Sequence, residues 1–193
     1  KAEELPIDIF PYPFKDFIHL LTTKNLRERK KQLSNFRPSQ EEVFREVFEI
    51  MEDKPVTIRL LDPTKDLRGA NLAVNYPEVA EAQTEAIIAA AISVKKNKGI
   101  NPRVEILVPF VSSLREFMNI KETIKNSATK VMEEMEESID YSIGSMIETP
   151  RACLLSDKLA EKADFLSLGT NDLTEMTYGI DRDKSKDLIS LYE

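Results

Sequence analysis

The sequence predicts an α/β fold with a parallel sheet and crossover helices, either a doubly wound sheet or a (β/α) barrel. Short apolar, β-branched runs alternate with helix-period segments about five times along the chain. Capping residues and prolines stand at the junctions. Only 5 of the 193 residues are glycine, where about 7% is usual, which argues against a loop-rich all-β fold.

Each element follows from local signals. Residues 1–38 carry no regular pattern: Pro6, Pro11 and Pro13 interrupt Ile7 to Phe17, and the charge-rich run Lys24 to Lys31 reads as a solvated helix leading into the main domain. Residues 39–193 form that domain. Ser39-Gln40-Glu41-Glu42 reads as a capping box. Val43, Phe44, Val47, Phe48 and Met51 then recur at helical spacing. Lys54-Pro55 stops the helix, and Val56 to Leu61 is a short buried strand. Asn71 to Val74 reads as a weaker strand. Pro77 suits the first turn of a helix, whose apolar face is Val79, Ala82, Ala86, Ala90 and Val94. Gly99 and Pro102 break it, and Val104 to Phe110 is the next strand. Ser113-Leu114-Arg115-Glu116 is a second capping box. It opens a long helix lined by Phe117, Ile120, Ile124, Ala128, Val131 and Met135, ending before Tyr141. Ser142 to Glu148 reads as a strand, Thr149-Pro150 caps a helix carrying Leu154, Leu155 and Leu159, and Asp164 to Leu168 is the last clear strand.

Composition excludes several functions. The net charge is −7 and the isoelectric point is near 5.0, so nucleic acid is not bound through bulk charge. No apolar run approaches the roughly 20 residues of a membrane span. Lys1-Ala2-Glu3-Glu4 does not resemble the start of a signal peptide, and a cytoplasmic setting is the expectation. A single cysteine, Cys153, and a single histidine, His19, exclude a disulfide framework and any site built on two histidines.

In parallel α/β folds, ligands bind beyond the carboxyl ends of the strands. Glu148 and Asp172 both stand there, after successive strands. Two carboxylates with open positions suit Mg²⁺, which keeps waters and adds substrate oxygens. A lone acid at such a place more often caps the following helix, whereas two on successive strands point to capping and to ligand binding about equally. Arg59 lies between Ile58 and Leu60 in an apolar strand, where a guanidinium is costly unless paired. A phosphate would satisfy it bidentately, as would an internal partner such as Asp62. Arg68-Gly69 follows in a short connection. Gly169-Thr170-Asn171-Asp172 places a glycine, a hydroxyl and an amide in one strand-end loop, whose N–H groups can hold an oxyanion. Met132, Met135 and Met146 fit core positions, Cys153 reads as packing on an apolar helix face, and His19 as a structural or surface residue.

Four runs carry a resemblance: Val56 to Pro63, Tyr76-Pro77-Glu78, Met146-Ile147-Glu148-Thr149-Pro150-Arg151-Ala152, and Gly169 to Gly179. Together they resemble the C-terminal, PEP-utilising (β/α)8 TIM barrel of the pyruvate phosphate dikinase family, over the span from about Asn25 to Glu193. PEP synthase and enzyme I of the sugar phosphotransferase system share that barrel. The resemblance implies a Mg²⁺-dependent phosphotransferase. Its barrel binds pyruvate or phosphoenolpyruvate (PEP) and exchanges a phosphoryl group with a phosphohistidine on another domain, and it is expected to form a homodimer. By the resemblance, Glu148 and Asp172 match the metal ligands, Arg59 and Arg68 the arginines on the PEP phosphate, and Gly169, Thr170 and Asn171 the substrate-contacting loop.

The sequence also departs from that pattern. Ile7 to Phe17 does not match the family's first barrel strand, which carries its own phosphate-binding arginine. A long excursion between Asp62 and Arg68 is reduced to Pro63-Thr64-Lys65-Asp66-Leu67, and Leu67 replaces the usual histidine. Cys153 is not the family's proton-donating cysteine, and His19 does not match the phosphohistidine. The expectation is an incomplete barrel of about five of eight strand-helix units, inactive by itself. The alternatives are a non-catalytic remnant or dimerisation module, and a metal-dependent 2-oxo-acid lyase on a related barrel.

Overall fold

A computed structural model of the chain describes residues 23–61, 72–181 and 185. Helix α1 (Leu26–Met51) comes first, followed by strand β1 (Pro55–Arg59). A helical turn, α2 (Leu72–Asn75), precedes the long helix α3 (Pro77–Lys98) and strand β2 (Arg103–Val108). Helix α4 (Leu114–Glu134) leads to β3 (Tyr141–Ile147), and two short helices, α5 (Pro150–Leu154) and α6 (Ser156–Ala160), lead to β4 (Leu166–Leu168). Helix α7 (Thr170–Tyr178) follows.

The strands pair in chain order, β1-β2-β3-β4, and every pairing is parallel. The sheet curls into a four-strand half-barrel, as part of a (β/α) barrel does. Side-chain alternation then divides its faces. Val56, Ile58 and Leu60 of the β1 segment, Val104, Ile106 and Val108 of β2, and Ile143 and Ile147 of β3 are buried in the core shared with the helices. From α3, α4 and α1 this core receives Ile87, Ile88, Phe117, Ile120, Phe44 and Phe48. Each such side chain contributes about 1.5–3 kcal/mol when fully buried. Helix α3 is buried nearly all round because α1, α4 and the sheet enclose it. Its small alanines, Ala86 and Ala89 to Ala91, permit that close approach.

Several expectations are met in detail. Ser113 and Glu116 form a reciprocal capping box at the start of α4. Pro77 opens α3, and Gly99 ends it at φ 70° in the left-handed region. Others need correction. The strand expected over Asn71 to Val74 is not formed by Leu72 to Val74: residues 72–75 are helical, and β2 takes the position beside β1, while Asn71 lies outside the described residues. The described residues therefore hold four strands rather than five. Ser39 caps no helix. Helix α1 already begins after Asn25, whose side chain accepts the Arg27 N–H at 2.9 Å, and runs through Pro38. The Ser39 hydroxyl instead donates back to the Phe36 carbonyl at 2.9 Å. Cys153 is exposed rather than packed. The segment after Thr149 breaks at Leu155 into α5 and α6, which turns Leu159 inward and leaves Leu154 84% exposed.

Candidate functional site

The site grows from the junction of β3 with β4. Ile147 pairs with Leu168, so the next residues, Glu148 and Gly169, emerge side by side at the C-terminal edge of the sheet. The Gly169 N–H donates to the Ile147 carbonyl at 3.0 Å and fixes that register. Glu148 is fully buried. A Cβ on residue 169 would stand 2.5 Å from Glu148 Cβ and 2.7 Å from its Oε2. Glycine is thus the side chain that leaves room for the carboxylate. Its other oxygen, Oε1, accepts the Phe110 N–H at 2.6 Å. Phe110 adopts a positive φ of 50°, a conformation that only a few per cent of non-glycine residues take.

Gly169 also stands at the N-terminus of α7. The expected strand-end loop is the first turn of this helix, with Thr170 and Asn171 exposed and Asp172 half-buried. The positive end of the helix favours a carboxylate or a bound anion in this turn. The Leu173 N–H returns to the Gly169 carbonyl at 3.1 Å, and Thr174 donates its hydroxyl to the Thr170 carbonyl at 2.7 Å.

Arg59 ends β1. Its neighbours Ile58 and Leu60 point into the core, so Arg59 points to the opposite, open face, where it is exposed. The cost expected of a guanidinium buried in an apolar strand does not arise. By alternation this is also the face that carries Gly144, Met146 and Glu148 on β3 and its extension. Gln83 of α3 secures the strand end below it, accepting the Leu61 N–H at 2.8 Å. The structure therefore brings Glu148, Gly169 and the first turn of α7 together, and sets Arg59 on the same face two strands away. Arg68 and Gly69, with Asp62 and His19, lie outside the described residues.

Among the described residues, no group of three or more histidine, cysteine, aspartate or glutamate side chains could hold a metal alone. Mg²⁺ binds through one or two carboxylates and completes its shell with water and substrate oxygens, and the residues present offer two, Glu148 at the sheet edge and Asp172 in the first turn of α7. Glu148 and Asp172 would hold it. The chemistry it would supply is charge neutralisation at an enolate or phosphoryl oxygen.

Comparison with known proteins bears on this arrangement. The family model described as "PEP-utilising enzyme, PEP-binding domain" matches residues 63–193. The chain belongs to this PEP-utilising enzyme family. Its similar relatives in the family include pyruvate, phosphate dikinase of Rhizobium meliloti (strain 1021), 38% identical over 204 residues, covering 86% of this chain and 23% of that protein. The chloroplastic pyruvate, phosphate dikinase 1 of Oryza sativa subsp. japonica is 35% identical over 214 residues, with 90% of this chain and 22% of that protein covered. That of Clostridium symbiosum is 32% identical over 212 residues, with 90% and 24% covered. The chain thus spans about a quarter of the length of the curated relatives it matches. No helix among the described residues is long and apolar enough to cross a membrane.

Two contributors were not legible as site residues. Phe110 acts through its backbone N–H, which no side-chain pattern reports. Thr149 is expected as a helix cap and is one, accepting the Ala152 N–H at 3.1 Å. It also donates to the Val111 carbonyl at 3.1 Å, a long-range contact that no sequence pattern encodes.

Proposed function

We propose that the chain forms the PEP/pyruvate-binding part of a pyruvate phosphate dikinase-type phosphotransferase. In this reading Glu148 and Asp172 hold Mg²⁺, and Arg59, with Arg68, binds the phosphate of PEP. The first turn of α7, Gly169 to Asn171, contacts the carboxylate or enolate end. The phosphoryl group would be exchanged with a phosphohistidine on another domain, and the protein would work as a homodimer. The observation that carries the reading is the buried Glu148 seated against Gly169 at the C-terminal edge of adjacent strands, with Asp172 in the helix turn that follows. Placing cations and a metal around a transferred phosphoryl group accounts for most of the catalysis such enzymes need.

Titrating Mn²⁺ and oxalate, an enolate analogue, into the protein tests the reading. The expected result is metal-dependent oxalate binding that Glu148→Gln and Asp172→Asn each weaken by about 10-fold or more, since each removes a charged ligand. Variants that bind metal and oxalate as the parent does would refute it.

A further inference from the structure

We propose that Thr149 is a positioning residue for Glu148, acting through the loop between β2 and α4. The loop, residues 109–113, is held from two sides. On the α4 side, Glu116 Oε2 accepts the Ser112 N–H at 2.9 Å, the Ser112 hydroxyl at 2.7 Å and the Ser113 N–H at 3.1 Å. On the β3 side, the Thr149 hydroxyl donates to the Val111 carbonyl at 3.1 Å. Between these anchors stands Phe110, whose N–H meets Glu148 Oε1 at 2.6 Å.

The chemistry of Thr149 suits this task. A hydroxyl donates one hydrogen bond and accepts others, and Thr149 does both, capping α5 through the Ala152 N–H while strapping the loop. It is buried, at 8% exposure, so water does not readily replace either contact. Phe110 is at a φ of 50°, which its own residue type disfavours. The fold around it must therefore impose that conformation, and the Thr149–Val111 bond lies one residue away. Releasing the strap frees Phe110 to relax toward negative φ. Its N–H then turns from Glu148, and the carboxylate loses one of the contacts that orient it. Groups that orient a ligating carboxylate affect metal affinity without touching the metal. The effect on metal rests on the reading of Glu148 as a metal-holding carboxylate, whereas the effect on Phe110 rests on the hydrogen bonds alone.

Three variants separate the roles. Thr149→Ser keeps both bonds, Thr149→Val loses both, and Thr149→Asp keeps an acceptor for the Ala152 N–H but cannot donate to Val111. Amide hydrogen exchange at Phe110 and Ala152 and Mn²⁺ affinity by electron paramagnetic resonance are measured on each. Exchange at Phe110 should accelerate by about 10-fold or more in the Val and Asp variants, the equivalent of one lost hydrogen bond. Ala152 should stay protected in the Asp variant, and the Ser variant should match the parent. Mn²⁺ binding should weaken by about 10-fold in the Val variant and recover in the Ser variant. Unchanged Phe110 exchange in a folded Val or Asp variant would overturn the proposal, as would a loss of Mn²⁺ affinity equal in Val and Ser. A Val variant that fails to fold leaves the Asp variant to decide. If the parent binds no Mn²⁺, the metal reading of Glu148 falls, and Phe110 exchange alone judges Thr149.

Discussion

Glu148 and Gly169 face each other across adjacent strand ends so closely that a Cβ on residue 169 would stand 2.5 Å from the Glu148 Cβ. Gly169 has φ −87°, which any residue adopts, so its glycine is required by space and not by backbone conformation. Gly169→Ala should therefore displace the carboxylate. The expected cost is about 1–3 kcal/mol of stability from overpacking, with a drop in Mn²⁺ affinity of about 10-fold or more. Urea unfolding and metal titration of the variant check both.

A second glycine shapes the sheet below the site. A Cβ on Gly144 would overlap the ring of Phe165, so that ring lies against the strand backbone. Gly144→Ala should destabilise by about 1–3 kcal/mol. Phe165→Leu in the same chain should recover part of the loss, because it clears the contact. A double-mutant cycle by denaturant unfolding measures the coupling; additive effects would show that the ring and the strand do not compete for this space.

Arg59 offers a contrast between stability and binding. It is exposed on the open face of β1, so Arg59→Met should change stability by no more than about 0.5 kcal/mol. PEP affinity should fall by about 10-fold or more, as for a lost hydrogen-bonded charge. Thermal unfolding and calorimetric titration with PEP read the two quantities separately.

The opposite end of β3 carries a pH-dependent clamp. Asp164 accepts the Ile143 N–H at 2.7 Å and the Lys121 ammonium at 2.9 Å. Desolvation raises its pKa, but the Ile143 N–H, the Lys121 contact and the charges of Lys121 and Lys125 outweigh it, and the net shift is downward. A carboxyl lowered in the folded state stabilises above its unfolded value and loses that contribution as pH falls through its folded value. Its side chain is 46% exposed, so solvent screening keeps the contribution below about 1 kcal/mol. The parent should be more stable than Asp164→Asn at pH 7, and the gap should close below about pH 4. Unfolding measured across that range reads it.

Much of this fold was legible because local chemistry and tertiary context agree. Ser113 and Glu116 cap α4, Pro77 opens α3, and Val56, Ile58 and Ile106 mark strands whose buried face is set by alternation. The expectations that failed depend on neighbours distant in sequence. Ser39 carries a valid capping pattern, yet α1 runs through it. The packing of Phe44 and Phe48, and the Arg29–Glu78 and Arg37–Glu85 ion pairs to α3, hold the helix despite Pro38. Leu72 to Val74 are apolar enough for a strand, yet they are helical, and β1 takes β2 as its neighbour instead. At the site, Glu148 and Asp172 were legible as acids after successive strands. The tight seat of Glu148 on Gly169 and the Phe110 N–H that orients it follow from strand register and one positive φ, which sequence periodicity does not report.

The proposed function places a divalent metal between Glu148 and the first turn of α7. Paramagnetic broadening of backbone amide signals by Mn²⁺ in the presence of oxalate tests it most directly. Glu148, Gly169 and Asp172 should broaden first, with Tyr141 at the far end of β3 unaffected. Broadening centred elsewhere, or equal at Tyr141 and Gly169, would contradict it.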